Sequence, residues 1–133
     1  MREIKFRVWN KILNKMYSHE ELLNLTKDIV RNSFATGIYL PLNSDIELMQ
    51  YIGLKDSDKN EIYKGDIVKI EDYFGDDIIG RVIYDETTAG YVFHKGNERS
   101  YFQMTLDLEG YVHYVIGNIY ENPELLEETL KTH

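Results

Sequence analysis

From residue 46 onward the chain is a succession of short β-prone runs, and this pattern constrains its fold more than any other feature. IELMQYI (46–52), DIVKIE (66–71), IGRVIY (79–84), GYVFH (90–94), RSYFQMTL (99–106) and YVHYVIGNI (111–119) are rich in β-branched and aromatic residues. The breaks at 72–77, 85–89, 95–98 and 107–110 are polar or carry glycine. Short strands at near-regular spacing read as an antiparallel barrel or sandwich. The eleven tyrosines suit half-buried sheets, with the ring on the core and the hydroxyl at water. The expected class is mainly β with a minor α component.

The N-terminal part is less regular. EIKFRVW (3–9) alternates, so Ile4, Phe6 and Val8 are expected on a buried face, with Glu3, Lys5, Arg7 and Trp9 on the other. Asn10 to Lys15 turns the chain, and Lys15–Tyr17 returns as a partner strand. Residues 18–30 read two ways. Ser18 with Glu21 forms a capping-box pattern, and Leu22, Leu25 and Ile29 recur at helical spacing. The same stretch also reads as LLNL, a turn at Thr26-Lys27-Asp28, and IVRNSF, which its strand-like neighbours favour. Gly37 and Pro41 mark irregular chain over 31–45. A strand-rich lobe over 1–45 and a barrel with a terminal helix over 46–133 are expected, or one continuous domain. In ENPELLEETLK, Asn122 suits an N-cap and Pro123 the first helical position, with Leu125, Leu126 and Leu130 as an apolar stripe.

The stretch GLKDSDKNEIYKGDIVKI (53–70) invites a chemical reading. Asp56, Asp58, Asn60 and Glu61 place oxygens as a calcium loop begins. A helix-loop-helix calcium site, however, needs glycine at its sixth place and glutamate at its twelfth, where Glu61 and Ile67 stand. Gly65 is followed by aspartate, so no phosphate-binding loop is present either. The structural reading is a bend. Gly53 and Gly65 supply positive φ, and Asp56, Ser57, Asp58 and Asn60 satisfy local backbone donors. Gly-Asp before a Val-rich strand is also a recurrent opening of small SH3-like barrels, which suggests that fold for the C-terminal part.

Other chemistry finds little support. His19, His94, His113 and His133 have no ligand-spaced partner that compels a metal, and a hydrogen-bonded structural role is expected for His113. There is no nucleophile elbow, and the carboxylates Asp76-Asp77 and Glu127-Glu128 are adjacent rather than facing. Cysteine is absent, which removes disulfides, thiolate metal sites and a cysteine nucleophile. No enzyme, metal or cofactor is expected. MREIKFRVWNK holds no apolar run long enough for a signal peptide, and no window reaches membrane-span length, so the expected location is intracellular, without membrane partners.

Net charge is −8, yet residues 1–20 hold five basic side chains against two acidic ones. That balance of +3 leaves −11 on the remainder. A basic end on an acidic body permits head-to-tail contact between subunits, and it equally describes a charged edge that resists aggregation. Lys5, Arg7 and Trp9 interleave base and aromatic as a single-strand grip would, and they are the candidate nucleic-acid residues. The acidic whole-chain balance weighs against that reading. Mimicry of nucleic acid against a host DNA-binding protein is a further alternative, although −8 is a moderate charge for it.

MREIKFRVWNKILNKMY, LMQYIGLKDSDKNEIYKGDIVKI and YVIGNIYENPELLE together resemble the YopX family of phage and prophage proteins. The three blocks fall at the start, middle and end of the chain. Ile52 departs from the pattern, which has a small polar residue such as threonine there. The resemblance implies a small mainly β protein of a phage or prophage, located in the bacterial cytoplasm. It brings no catalytic residues. The family-like positions Gly53, Leu54, Asp56, Ile62, Gly65, Asp66, Gly117, Asn118, Tyr120 and Pro123 look like turn-formers, core and a helix cap. The leading expectation is a non-enzymatic interaction or assembly protein, a homo-oligomer or a binder of a host or phage protein.

Overall fold

The computed structural model describes residues 3–24, 46–71, 75, 77–87, 89–95, 104–105 and 111–126. The chain divides into two compact units, residues 3–50 and 51–133. The protein is mainly β, and all the described strand pairs are antiparallel.

In the first unit β1 (Phe6–Asn10) lies between β2 (Lys15–Tyr17) and the start of β3 (Ile46–Lys55). Val8 faces Tyr17 on one side and Leu48 on the other. The expected facing of β1 is corrected here. The strand begins at Phe6, Ile4 precedes it at 70% exposure, and Trp9 is buried at 9%. Trp9 shares its side of β1 with Arg7, and Arg7 stands opposite Met49, which is 1% exposed. Trp9 is the largest apolar surface in the strand, so its burial outweighs the pattern of the smaller residues. A second correction concerns residues 18–30. Residues 19–24 are helical, so the strand reading of LLNL fails where it is described. Ser18 Oγ accepts the Glu21 N–H at 3.2 Å, and Glu21 Oε1 accepts the Ser18 N–H at 3.4 Å. The capping box thus forms, and Leu22 N–H closes the first turn on Ser18 O at 2.9 Å. Residues 25–45 lie outside the described residues.

In the second unit the end of β3 pairs with β4 (Glu61–Tyr63), a three-residue strand that the sequence pattern did not single out. Tyr51 faces Tyr63 and Lys55 faces Glu61, so β3 carries two more residues than β4 between those pairs. Gly53, at φ 87°, lies in that excess and makes the bulge without a Cβ penalty. A five-stranded sheet follows in the order β8-β7-β6-β5-β9. Its strands are β5 (Asp66–Ile70), β6 (Ile78–Asp85), β7 (Gly90–Lys95), β8 (Met104–Thr105) and β9 (His113–Asn118). The register between β5 and β9 shifts between Ile67 and Val68, where Ile116 is the extra residue. Such a bulge bends and twists the sheet. Among the described strands β8 and β9 remain edges, so their pairing does not close the expected SH3-like barrel.

Ile52, Ile62, Val68, Ile70, Val82 and Phe93 form the core of this unit, with Ile78, Tyr91 and Val115 packed against it. Each fully buried side chain of this size contributes roughly 1.5–3 kcal/mol. Gly80 passes so close to β7 that a Cβ would meet the His94 carbonyl oxygen and come within 2.5 Å of the Phe93 ring. Residues 124–126 are helical, Leu125 N–H reaches Asn122 O at 3.1 Å, and Leu126 is buried at 3%. The expected C-terminal helix therefore starts where the Asn-Pro signal puts it. Leu130 lies outside the described residues.

Candidate functional site

The family-like central stretch folds as a set of clasps. Asp56 is 5% exposed. Its Oδ1 accepts the N–H groups of Asp58 and Asn60 at 2.9 and 2.8 Å. Its Oδ2 accepts Asn60 Nδ2 at 3.2 Å and the Val115 N–H of β9 at 2.9 Å. Ser57 extends the tie: its N–H donates to His113 O at 2.9 Å, and its Oγ accepts the His113 N–H at 3.0 Å. Burial pushes the Asp56 carboxyl up, but donors from Val115, Asn60 and Asp58 outweigh it and hold it below the ordinary aspartate value. All four acceptor directions are thereby engaged by the protein's own groups, as expected of a structural carboxylate.

Gly65, at φ 89°, makes the second clasp. Its N–H donates to Val82 O at 2.8 Å, and its carbonyl accepts the Ile119 N–H at 2.9 Å. Asp66, fully buried, accepts the Tyr63 N–H at 2.8 Å and closes the turn between β4 and β5. A third clasp follows β9, where Asn118 Oδ1 accepts the Tyr120 and Glu121 N–H groups at 3.0 and 2.8 Å. Asn118 N–H in turn donates to Asn122 Oδ1 at 3.2 Å, and Gly117 leaves room for that side chain, which lies 2.5 Å from where a Cβ would stand. These residues hold the fold and present no free chemistry.

Lys5, Arg7 and Trp9 do not form the exposed grip that their spacing suggests. Lys5 pairs with Glu3 at 3.1 Å, Arg7 is half-buried beside Met49, and Trp9 is buried. A nucleobase cannot stack on a Trp9 ring placed that way. Two of the histidines serve the backbone. His19 Nδ1 accepts the Phe6 N–H at 3.3 Å, and His113 Nδ1 lies 2.8 Å from Tyr111 O. His94 stands opposite Arg81 across β6 and β7; burial, then Arg81, holds its pKa below the ordinary histidine range, against a smaller opposing pull from Asp85. Among the described residues no group of three His, Asp or Glu is placed to hold a metal ion.

Among the described residues, the surface feature best suited to contact another molecule is the β1–β2 hairpin tip. Ile12 is 70% exposed and Leu13 63%. Asn10 Oδ1 accepts both of their N–H groups, at 3.0 and 3.1 Å, and Asn14 takes φ 50° to complete the turn. Lys11 pairs with Glu47 at 2.8 Å, and the Lys15 ammonium sits 4.7 Å from the Tyr17 ring centroid. Two apolar side chains are thus exposed on an ordered turn with a lysine on each side. By sequence, 10–15 reads as a turn only; the available signal is an Ile-Leu pair where turn chemistry calls for polar residues.

A family model described as YopX protein matches residues 5–127. The chain is also similar to two crystal structures. One is protein EF1440 from Enterococcus faecalis, at TM-score 0.58 and 21% identity, covering 95% of this chain and 99% of that one. The other is protein yopX from Bacillus subtilis, at TM-score 0.55 and 20% identity, covering 94% and 98% respectively. At such identities the two structures establish a common fold. No curated protein matches the chain. Among the described residues no helix is long and apolar enough to cross a membrane. The family match covers nearly the whole chain, including the three clasps, and by it the chain belongs to the YopX protein family.

Proposed function

We propose that this chain is a non-enzymatic interaction or assembly protein, encoded by a phage or prophage and acting in the cytoplasm of its bacterial host. The observation that carries the reading is the ordered hairpin tip, with Ile12 and Leu13 at 70% and 63% exposure. An isolated exposed leucine is ordinary, but two adjacent large apolar side chains exposed on a turn whose backbone is held by Asn10 form a ready contact element. Membership in the YopX family supports the setting. Asp56, Asp66 and His113 are engaged with backbone groups, which favours binding over catalysis.

The test pairs light scattering with affinity capture from phage-infected cells. Self-association, or a captured protein lost on Ile12→Ser with Leu13→Ser, is the expected result. A monomer at every concentration that captures no protein would refute the reading.

A further inference from the structure

The second unit carries a surface that complements the hairpin tip. Tyr111 and Val112, just before β9, are 48% and 44% exposed. Glu71 N–H donates to Val112 O at 2.8 Å, which places the exposed Glu71 beside this apolar pair. The tip is the inverse arrangement: an exposed apolar pair between Lys15 and Lys11, the latter paired with Glu47. The same polarity runs through the whole chain, +3 on residues 1–20 and −11 on the rest.

We propose that the occupant of the tip is a second copy of this chain: Ile12 and Leu13 of one copy dock on Tyr111 and Val112 of the next, with Lys15 facing Glu71. The inference rests on the proposed role as an interaction protein and names its partner. The tip meets the acceptor rather than another tip, because tip-to-tip docking would set Lys15 against its own copy and Glu71 would likewise repel its own copy. The contact is either reciprocated in a two-fold dimer or leaves one tip and one acceptor unused, in which case association continues into a larger ring or an open chain. Four apolar side chains make a small interface, at the weak end of the size range below about 1,200 Å². Association is therefore concentration-dependent and salt-sensitive.

Sedimentation velocity across about 10 µM to 1 mM tests this. The wild type is expected to self-associate with rising concentration. A tip variant (Ile12→Ser, Leu13→Ser) and an acceptor variant (Val112→Ser, Glu71→Lys) should each stay monomeric alone. Mixed in equal amounts, they should form a 1:1 heterodimer and stop, because each retains one intact half. Circular dichroism verifies that both variants fold. If either does not, the wild type alone decides: its association should weaken at least several-fold as salt shortens the screening length from about 10 Å at 0.1 M to about 3 Å at 1 M. Salt-independent association overturns the proposal. So does an acceptor variant that associates like the wild type, or a mixture that remains monomeric; in those cases the interaction reading stands and the docking surface is wrong. A wild type that is monomeric throughout also overturns the proposal, and capture of a different protein then decides the broader reading.

Discussion

Replacing Asp56 tests whether one carboxylate holds the central bend to β9. Asp56→Ala removes the acceptor of three backbone N–H groups, those of Asp58, Asn60 and Val115, and of the Asn60 amide. Asp58 and Asn60 are exposed, so their donors turn to water at about 0.5–1 kcal/mol each. The Val115 N–H lies in β9 and is left unsatisfied, at about 1–3 kcal/mol. The expected loss is about 2–5 kcal/mol. Asp56→Asn should fall within about 1 kcal/mol of alanine, since its amide turns a donor toward a donor. Trp9 lies in the first unit, so its fluorescence is the wrong probe for this loss. Urea unfolding followed by circular dichroism, with amide exchange at Val115, reads the second unit directly. The pH dependence supplies a second check. The folded pKa is depressed, so this stabilisation is fully present above the unfolded value of about 3.9 and is lost as pH falls through the folded value. The gap between wild type and Asp56→Asn should therefore close in strong acid. A loss below about 1 kcal/mol at pH 7, or unchanged Val115 protection, would refute the clasp.

Gly80→Ala should cost at least about 1–3 kcal/mol, because its Cβ meets the backbone of His94 as well as the Phe93 ring; a thermal midpoint equal to the wild type would contradict that packing. Ser18→Ala should cost about 0.5–2 kcal/mol in the first unit, read by urea unfolding on Trp9 fluorescence, while Ser18→Asp should retain most of the cap. His94 should titrate below about 6.5 by NMR, and Arg81→Gln should raise its midpoint. With the folded value lowered, the fold binds fewer protons than the unfolded chain, so His94 takes away stability as pH drops through that range.

Local chemistry made much of this fold legible. β-Prone runs with polar breaks located β5, β6, β7 and β9 to within about two residues. The Lys15–Tyr17 return strand and the start of the C-terminal helix followed from turn residues and from Asn122-Pro123. Gly53 and Gly65 revealed positive φ because no other residue adopts it so cheaply. The Ser18–Glu21 box is equally readable, and it prevails over the strand-like character of the neighbouring runs because a reciprocal pair of hydrogen bonds is the stronger local information.

The remainder needed contacts between residues far apart in the chain. β4 is three residues long, too short for periodicity to register, and it exists because Tyr63 lies against Tyr51 with ring centroids 5.7 Å apart. The side of β1 that is buried was decided by Trp9 sharing a face with Met49, a neighbour the alternation of one strand cannot reveal. Asp56 could be read as a bend-former from its own segment. That its second oxygen reaches Val115, 59 positions away, is a property of β9 returning beside β5. The sequence by itself determined where this chain bends and which segments extend, because those choices depend on backbone preferences within a few residues. Only the tertiary structure decided which faces close, which carboxylates become clasps and which apolar side chains remain outside, because burial depends on what the distant chain brings alongside.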